Sequence, residues 1–261
     1  MDWRAFFTTH QQQLTQLYPG LTLERFLREA QEIGGTGEAM LRGVPFAYQL
    51  GYAEFTYHRF KVTPDVLIPR PETEQLFELA GEAIKHHPGW RRLLDVGTGS
   101  GCLGLSLAHA HPHLAVTLSD VSPEALKVAE ENAKALGLHH VQLIHSDLLA
   151  AVVGLYDVIV SNPPYIPSDA GGVHPMTHQF EPHLALYVEP AKYQKFFARL
   201  FDQVARHLSA DGMFFMEGHE DTLADCADWA KAARLTRVEV KTDLAGRPRF
   251  LIAHAPRAPI G

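Results

Sequence analysis

The feature that most constrains the fold is a short apolar segment that runs into three glycines at alternate positions. Leu93–Val96 is followed by Gly97, Gly99 and Gly101. Glycine is needed where a backbone must bend sharply or where a ligand must lie against it. In open α/β sheets, the turn after the first strand is also where ligands bind. The segment therefore predicts a strand, a tight ligand-binding turn and a helix, although a tight connection alone would use the same glycines.

Strand and helix patterns alternate from this segment to the end of the chain. The predicted strands are Arg92–Val96, Ala115–Ser119, Val141–His145, Tyr156–Ser161, Met213–Glu217, Val238–Lys241 and Phe250–Ala253. The predicted helices are Ser100–Ala110, Pro123–Leu136, Lys192–Leu208 and Asp221–Ala233. Such alternation is typical of a mostly parallel, doubly wound α/β sheet. The last two strands are too close together for a crossover helix, so they must form an antiparallel hairpin.

The chain before the first strand predicts a small appended unit. Trp3–Leu17 and Thr22–Ile33 have helical periodicity, and Ala53–Val62 has the β-branched and aromatic content of a hairpin. A further helix begins at Pro71, which suits a first helical position, and runs to about His87. We expect a small helical substrate-recognition domain over residues 1–50, a hairpin linker over 51–64 and the main domain over 65–261.

Composition limits the classes of function. The chain has 261 residues and a formal net charge of -7, which disfavours a duplex nucleic acid as the partner. We found no apolar run approaching the roughly 18–20 residues that span a bilayer, so no membrane partner is expected. Two cysteines do not form a disulfide framework, which favours the cytoplasm. The sixteen histidines have no zinc-binding spacing, and no metal is predicted.

An acidic residue makes the glycine turn more specific. Asp120 ends the second strand, about twenty residues after the glycines, where a carboxylate can accept hydrogen bonds from both ribose hydroxyls. The pair implies a cofactor that contains adenosine. Cys102 stands where the dinucleotide motif requires glycine or alanine, which favours a cofactor smaller than a nicotinamide dinucleotide. An acid that only caps the next helix would look the same.

A third candidate position follows the third strand. Asp147 and Leu148 come after Ser146, at a strand end that lies beside the second strand in a doubly wound sheet. We expect the Asp147 carboxylate to accept a hydrogen bond from an adenine amino group, and Leu148 to cover the ring. An ordinary loop aspartate is nearly as consistent with the sequence.

The most informative segment follows the fourth strand. Asn162, Pro163, Pro164 and Tyr165 stand directly after a buried strand, at the ligand-binding edge of the sheet. The two prolines fix φ and lack backbone donors, so the loop is stiff and its carbonyl oxygens are free. The Asn162 side-chain oxygen and the Pro163 carbonyl can accept both hydrogens of one planar –NH2 group, while Tyr165 supplies an aromatic face.

Together these segments resemble a known family. Asn-Pro-Pro-Tyr after a fourth strand, with a Gly-rich first loop, is similar to the class I methyltransferases that modify amino groups conjugated to planar systems. Ile68-Pro-Arg-Pro-Glu-Thr-Glu74 resembles the signature of the PrmC/HemK family, which methylates the glutamine of the Gly-Gly-Gln motif in peptide release factors. Arg42-Gly-Val-Pro45 and Phe180-Glu-Pro182 extend the resemblance over roughly residue 40 to the C-terminus. Ribosomal-protein glutamine methyltransferases resemble this chain less, because their segment departs from Pro-Glu-Thr-Glu.

The resemblance implies a Rossmann-like methyltransferase that uses S-adenosyl-L-methionine and acts on peptide chain release factors. It implies cofactor contacts from Gly97, Thr98, Gly99, Ser100, Gly101, Asp120, Asp147, Leu148 and Asn162. It implies acceptor binding by Asn162, Pro163, Pro164 and Tyr165, of which Asn162, Pro163 and Tyr165 are catalytic. Thr73 would approach the methionine end. Leu148 stands where the family has an aromatic residue, and the helical region before the hairpin is shorter than the family's.

Three other functions are compatible with parts of the sequence. An adenine-N6 methyltransferase shares the Asn-Pro-Pro-Tyr chemistry, but it would need a basic groove or a target-reading domain to extrude its base. A non-catalytic adenosine-binding module would have no need for the stiff double-acceptor loop. A nicotinamide-dependent reductase is disfavoured by the glycine spacing.

Overall fold

The computed structural model describes residues 1–256, and it begins with a cluster of helices. These are α1 (Trp3–Leu17), α2 (Leu23–Ile33), α3 (Glu38–Leu41) and α4 (Phe46–Leu50). The side chains of Asp2 and Thr22 cap α1 and α2 by accepting hydrogen bonds from first-turn N–H groups. The helices share a core of their own, made of Phe7, Leu14, Leu21, Phe26, Ala30, Met40 and Phe46. The two short helices were not predicted, because four or five residues are too few to show a helical period.

A β-hairpin connects the helical cluster to the rest of the chain. Its strands, β1 (Tyr52–Phe55) and β2 (His58–Lys61), pair antiparallel within the segment in which a hairpin was predicted. Two side chains of the main body hold its backbone. Asn132 Oδ1 accepts from the Lys61 N–H at 2.7 Å, and Glu74 Oε1 accepts from the Thr56 N–H at 2.6 Å. The hairpin is therefore fixed to the main body by hydrogen bonds to its own peptide groups.

The main body contains the remaining elements. Its helices are α5 (Pro71–His86), α6 (Cys102–Ala110), α7 (Pro123–Ala135), α8 (Pro175–Phe180), α9 (His183–Leu186), α10 (Pro190–His207) and α11 (Leu223–Ala232). Its strands are β3 (Arg92–Val96), β4 (Ala115–Asp120), β5 (Gln142–His145), β6 (Tyr156–Ser161), β7 (Ile166–Pro167), β8 (Tyr187–Val188), β9 (Leu208–Glu217), β10 (Thr236–Thr242) and β11 (Pro248–His254).

Seven of the strands form one twisted sheet in the order β10-β11-β9-β6-β3-β4-β5. The pairs among β3, β4, β5, β6 and β9 are parallel, whereas β11 runs antiparallel to both β9 and β10. The predicted seven-stranded, mostly parallel sheet with an antiparallel C-terminal hairpin is confirmed. The strand order reverses between β3 and β6, which creates a crevice at the carboxyl ends of these strands.

Helices cover both faces of the sheet, so its central strands β3, β6 and β9 are buried on two sides. Leu93, Val158 and Phe215 point into one apolar cluster, with α5, α6 and α7. Their chain neighbours Leu94 and Ile159 point into the opposite cluster, with α10 and α11. This alternation follows from the two-residue period of a strand. It holds the strand ends, which carry the polar residues, at fixed positions.

Several element boundaries differ from the prediction for physical reasons. The helix predicted from Ser100 begins at Cys102, because Gly101 has a φ of 83° and acts as its N-cap. The strand predicted from Met213 begins at Leu208, and its register against β6 shifts between Tyr156 and Val158. The shifted pairing lets β9 extend through residues 209–212, which lie between the predicted helix Lys192–Leu208 and the predicted strand Met213–Glu217. Among residues 1–256, no helix combines the length and apolar character needed to cross a bilayer.

Candidate active site

A cavity of about 910 Å³, called the cleft below, opens at the carboxyl ends of β3, β4, β5 and β6. Most of the predicted site residues line it: Gly97, Thr98, Gly99, Ser100, Asp120, Asp147, Leu148, Asn162, Pro163 and Pro164. The segment before α5 and the segment from α9 to α10 form the remaining walls. Small-molecule sites generally occupy about 300–1,000 Å³, so the cleft is large enough for an adenosine-containing cofactor.

The glycine turn adopts the backbone conformation that its sequence requires. Gly97 and Gly99 have φ values of 69° and 54°, in the left-handed region that side chains disfavour. The Asp95 carboxylate lies beneath the turn, where its Oδ2 accepts from Thr98 Oγ1 at 2.6 Å and from the Gly104 N–H at 3.0 Å. The turn is thus held in place from the protein interior, and its outer side is left to the cleft.

Helix α6 packs tightly against the sheet at Gly104, a residue that was not predicted from the sequence. A Cβ atom at Gly104 would lie 2.4 Å from Leu118 Cδ2 and 2.8 Å from Asp95 Oδ2. The dinucleotide motif has its packing glycine at the position of Cys102, two residues earlier. Gly101 also lies behind the turn rather than among the described residues that line the cleft, since a Cβ there would contact Leu105.

Burial of Asp95 leads to a pH-dependent stability. Desolvation raises the pKa of this carboxyl from 3.8 to about 6, although hydrogen bonds from Thr98 and Gly104 oppose the rise. The folded state therefore favours the protonated form. Protonated Asp95 therefore adds to the free energy of unfolding. The added stability is fully present below about pH 4 and is lost as the pH rises through about 6, a change of roughly 3 kcal/mol.

Asp95→Asn cannot titrate, so this variant should lack the loss of stability that wild type shows as the pH rises. We expect the unfolding free energy of the variant, relative to wild type, to increase by up to about 3 kcal/mol between pH 4 and pH 8. Urea unfolding across that range measures the difference. A difference that does not change with pH would rule out titration of Asp95 in the folded protein.

Asp120 supports the turn from the next strand. Its Oδ2 accepts from the Gly99 N–H at 2.8 Å, and its Oδ1 accepts from the Ser122 N–H at 2.9 Å. The side chain is buried at the cleft wall, and burial raises its pKa. A carboxylate offers about four acceptor positions, so each oxygen retains capacity for a further donor such as a ribose hydroxyl.

Asp147 and Leu148 lie at the end of the cleft near α10. Both oxygens of Asp147 are bonded to the Arg199 guanidinium, at 2.6 and 2.9 Å, and the side chain is more than half exposed. Leu148 has a φ of 54°, a conformation that costs a branched side chain energy and is concentrated at functional sites. The Asp147 carboxylate therefore forms a bidentate ion pair with Arg199, which was not predicted from the sequence.

The Asn-Pro-Pro segment enters the cleft directly from β6. Asn162, Pro163 and Pro164 line it, and Asn162 Nδ2 donates a hydrogen bond to Thr73 Oγ1 at 3.0 Å. This contact uses the nitrogen end of the amide. The Asn162 side-chain oxygen remains as an acceptor for a ligand.

Tyr165 lies outside the set of described residues that line the cleft. Its hydroxyl donates to Glu217 Oε1 at 2.8 Å, and its carbonyl accepts from the Tyr193 hydroxyl at 2.9 Å. The hydroxyl bond directs the ring toward Glu217 of β9, and the carbonyl bond ties the loop to α10. Burial, followed by the charge of Glu217, raises the pKa of the Tyr165 hydroxyl, which therefore acts as a donor.

Glu217 is a site residue that the sequence analysis did not identify. It ends β9, is fully buried, and accepts from Thr73 Oγ1 at 2.7 Å as well as from Tyr165. Burial raises the pKa of Glu217, whereas the two hydroxyl donors and the charge of Arg249 lower it. The available signal was an acidic residue at the end of an apolar strand, at the edge of the sheet where Asp120 also lies.

An ion pair joins the segment before α5 to the segment before α9. Arg70 Nη2 lies 2.6 Å from Glu181 Oε1, and Glu181 Oε2 accepts from the Ile68 N–H at 3.1 Å. The Glu181 side chain is almost completely buried, while that of Arg70 is 29% exposed. The segment before α5 and the segment before α9 are therefore connected through one carboxylate.

Removing this carboxylate should destabilise the protein. We expect Glu181→Ala to lower the unfolding free energy by about 2–4 kcal/mol, because it leaves a partly buried guanidinium and a peptide N–H without their acceptor. Glu130→Ala is the matched control, since it removes an exposed pair with Lys134 that should contribute less than about 0.5 kcal/mol. Equal losses in urea unfolding would show that the buried pair has no special role.

Two comparisons address the fold and the domain. Residues 79–180 match the methyltransferase small domain family. The solved structure of the 16S rRNA N2 G1207 methyltransferase of Thermus thermophilus, in complex with AdoMet and guanosine, superposes with a TM-score of 0.56. The two chains are 19% identical over 78% of this chain and 49% of the other. At that identity the likeness establishes the shared fold.

Comparison with curated proteins identifies the family. A release factor glutamine methyltransferase of Koribacter versatilis (strain Ellin345) is 40% identical over 239 residues, which are 87% of this chain and 81% of that protein. One from Leptospira interrogans serovar Lai is 36% identical over 92% of this chain and 85% of that protein. The fold and the cleft define an enzyme of the class I methyltransferases. The chain belongs to the family of release factor glutamine methyltransferases.

Proposed function

We propose that this enzyme transfers a methyl group from S-adenosyl-L-methionine to the side-chain amide nitrogen of the glutamine in the Gly-Gly-Gln motif of peptide chain release factors. The observation that carries the proposal is the pair of acceptors among the residues of the cleft, the Asn162 side-chain oxygen and the Pro163 carbonyl, at the end of a largely buried strand. The names of the relatives support the acceptor protein.

The residues of the cleft fit the proposed cofactor. Gly97 to Ser100 would follow its methionine portion, whereas Gly101 would support the turn from behind, and Asp120 would accept hydrogen bonds from the ribose hydroxyls. Leu148 would cover the adenine, with Asp147 beside the adenine amino group and Asn162 near the reacting end. Bound S-adenosyl-L-methionine supplies a methyl group that its positive sulfur has activated, and leaves as S-adenosyl-L-homocysteine.

Positioning is the main contribution of the protein to the reaction. An amide nitrogen is a weak nucleophile, because its lone pair is delocalised into the carbonyl group. Asn162 and the Pro163 carbonyl would hold its two N–H groups, and near-attack alignment can supply roughly 7–11 kcal/mol. Their dipoles also stabilise the positive charge that grows on nitrogen. We assign no general base, and the proton passes to solvent.

The role that we propose for Tyr165 differs from the one expected from the sequence. Its ring was expected to lie against the –NH2 group, but its hydroxyl is bonded to Glu217 on the far side of the loop. We propose that Tyr165 holds the loop in place, with Pro164 forming the nearer surface for the acceptor.

We further propose that residues 1–50 recognise the release factor and that residues 51–64 link this unit to the enzyme. Residues 65–261 would form the methyltransferase domain, of which residues 257–261 lie outside the part that the structure describes. A Cβ at Gly43 would clash with Met176 Sδ of α8, so the helical unit abuts the segment that follows the Asn-Pro-Pro-Tyr loop. An acceptor protein held by this unit would therefore lie next to the cleft.

The function is tested by incubating the enzyme with labelled S-adenosyl-L-methionine and a purified release factor. Mass spectrometry of the Gly-Gly-Gln peptide should find one methyl group on the glutamine side chain. Parallel reactions contain DNA or RNA oligonucleotides. Label on adenine, with none on the release factor, would replace the proposal with an adenine-N6 activity.

A further inference from the structure

A buried chain of hydrogen bonds leads from the end of β9 to the amide of Asn162. Thr73 Oγ1 lies 2.7 Å from Glu217 Oε2 and 3.0 Å from Asn162 Nδ2. Thr73 is 2% exposed and Glu217 is completely buried. Thr73 and Asn162 both line the cleft, so the chain connects the buried Glu217 to a group that would touch the acceptor.

The chemistry of the carboxylate sets the direction of this chain. An ionised carboxylate only accepts hydrogen bonds, and a threonine hydroxyl has a single hydrogen to donate. Thr73 must therefore donate to Glu217, which leaves only its lone pairs facing Asn162. Asn162 can satisfy those lone pairs only with its nitrogen. Its oxygen consequently faces the acceptor, which is the orientation that an –NH2 group requires.

Burial raises the pKa of Glu217, and two further residues oppose that rise and so favour its acceptor state. Tyr165 donates its hydroxyl to the second oxygen at 2.8 Å. Arg249 lies close enough for its charge to favour the ionised form, and its own guanidinium is held by Asp243 and the Gly218 carbonyl. Because Thr73 and Glu217 are buried, solvent cannot supply them with alternative donors that would reverse the order of the bonds.

We propose that Glu217 is a positioning residue that, through Thr73, fixes the direction of the Asn162 amide and so makes its oxygen the acceptor for the nitrogen to be methylated. The inference rests on the proposed function, because it concerns the same amide grip. It extends that function to a residue that does not touch the substrate.

Glu217→Gln tests the direction of the chain with almost no change of shape. The new amide can keep the Tyr165 hydroxyl bond through its oxygen and donate to Thr73 through its nitrogen. Thr73 then donates to Asn162, whose amide turns and presents N–H groups to the N–H groups of the acceptor. This arrangement gives the hydroxyl hydrogens of Tyr165 and Thr73 an acceptor each, which the opposite orientation of the amide does not, so it is the favoured one. We expect kcat to fall by about 100-fold or more, comparable with the loss of one group that stabilises a transition state.

The affinity for S-adenosyl-L-methionine separates this role from a general structural defect. Glu217→Gln should leave its Kd, measured by calorimetry, within about threefold of wild type, since the cofactor residues on β3 and β4 are unchanged. A protein that had merely lost structure would lose cofactor affinity together with kcat. A folded Glu217→Gln enzyme whose kcat stays within about threefold of wild type overturns the proposal.

A second pair of variants decides the question even if Glu217→Gln does not fold. Thr73→Ser keeps the hydroxyl and should retain kcat within about threefold. Thr73→Val has the same shape as threonine but cannot relay a hydrogen bond, so Asn162 loses its anchor and kcat should fall by about 10-fold or more. Equal kcat values for the two variants would contradict the proposal.

The choice of methyl acceptor in these assays distinguishes failure of the proposed function from failure of the positioning role of Glu217. Wild-type enzyme that methylates the release factor supports the proposed function whatever the variants do. If wild type instead methylates only adenine in an oligonucleotide, the proposed function fails. The direction of the chain is then measured on that –NH2 group with the same variants and the same criteria.

Discussion

Replacing Asn162 by alanine is expected to lower kcat by about 1,000-fold while the affinity for S-adenosyl-L-methionine remains within about threefold of wild type. The side-chain oxygen is one of two acceptors that hold the –NH2 group, and its removal costs both alignment and stabilisation of the developing charge. Single-turnover methylation of a release factor measures the rate, and calorimetry measures the cofactor affinity.

Asp169→Ala is the matched control for this variant. Asp169 is an exposed residue in the connection that follows the Asn-Pro-Pro-Tyr segment, and its replacement should leave both quantities unchanged. Turnover by Asn162→Ala at more than about a tenth of the wild-type rate would show that the Asn162 oxygen does not hold the reacting group.

Replacing Asp120 by alanine should have its main effect on cofactor binding. The carboxylate holds the Gly99 and Ser122 peptide groups and would accept from the ribose hydroxyls. Hydrogen bonds to a charged group contribute about 1.5–3 kcal/mol each, so the Kd for S-adenosyl-L-methionine should rise by about 100-fold or more. At saturating cofactor, kcat should fall by less than about 10-fold, because the amide grip is intact.

Asp202→Ala serves as the control for Asp120→Ala, since it removes an exposed carboxylate that pairs with Arg206 on α10. Thermal unfolding of both variants, with and without cofactor, distinguishes lost binding from lost structure. If the Kd of Asp120→Ala stays within about threefold of wild type, Asp120 does not bind the ribose of the cofactor.

The sheet was predictable because its signals are local. A buried strand, three glycines and a capped helix follow each other within a few residues, and the short spacing before Phe250 requires a hairpin. The start of α6 and the extent of β9 were predicted incorrectly because each depends on one backbone irregularity. These are the left-handed Gly101 and the shifted pairing between Tyr156 and Val158.

The candidate site was predictable only where a residue follows its own strand. Asp120 and Asn162 end strands that the sequence marks clearly, and both line the cleft. Other contacts around the cleft join residues far apart in the chain: Thr73 is 144 residues from Glu217, and Arg70 is 111 residues from Glu181. Contacts of this kind depend on how α5 packs across the edge of the sheet, which hydrophobic periodicity does not specify.

The central claim concerns which atoms hold the acceptor, and a crystal structure of the enzyme with S-adenosyl-L-homocysteine and a Gly-Gly-Gln peptide tests it most directly. The account predicts that the glutamine nitrogen lies within hydrogen-bond distance of both the Asn162 side-chain oxygen and the Pro163 carbonyl. A glutamine bound with its carbonyl oxygen in that position, or with its side chain outside the cleft, would contradict it.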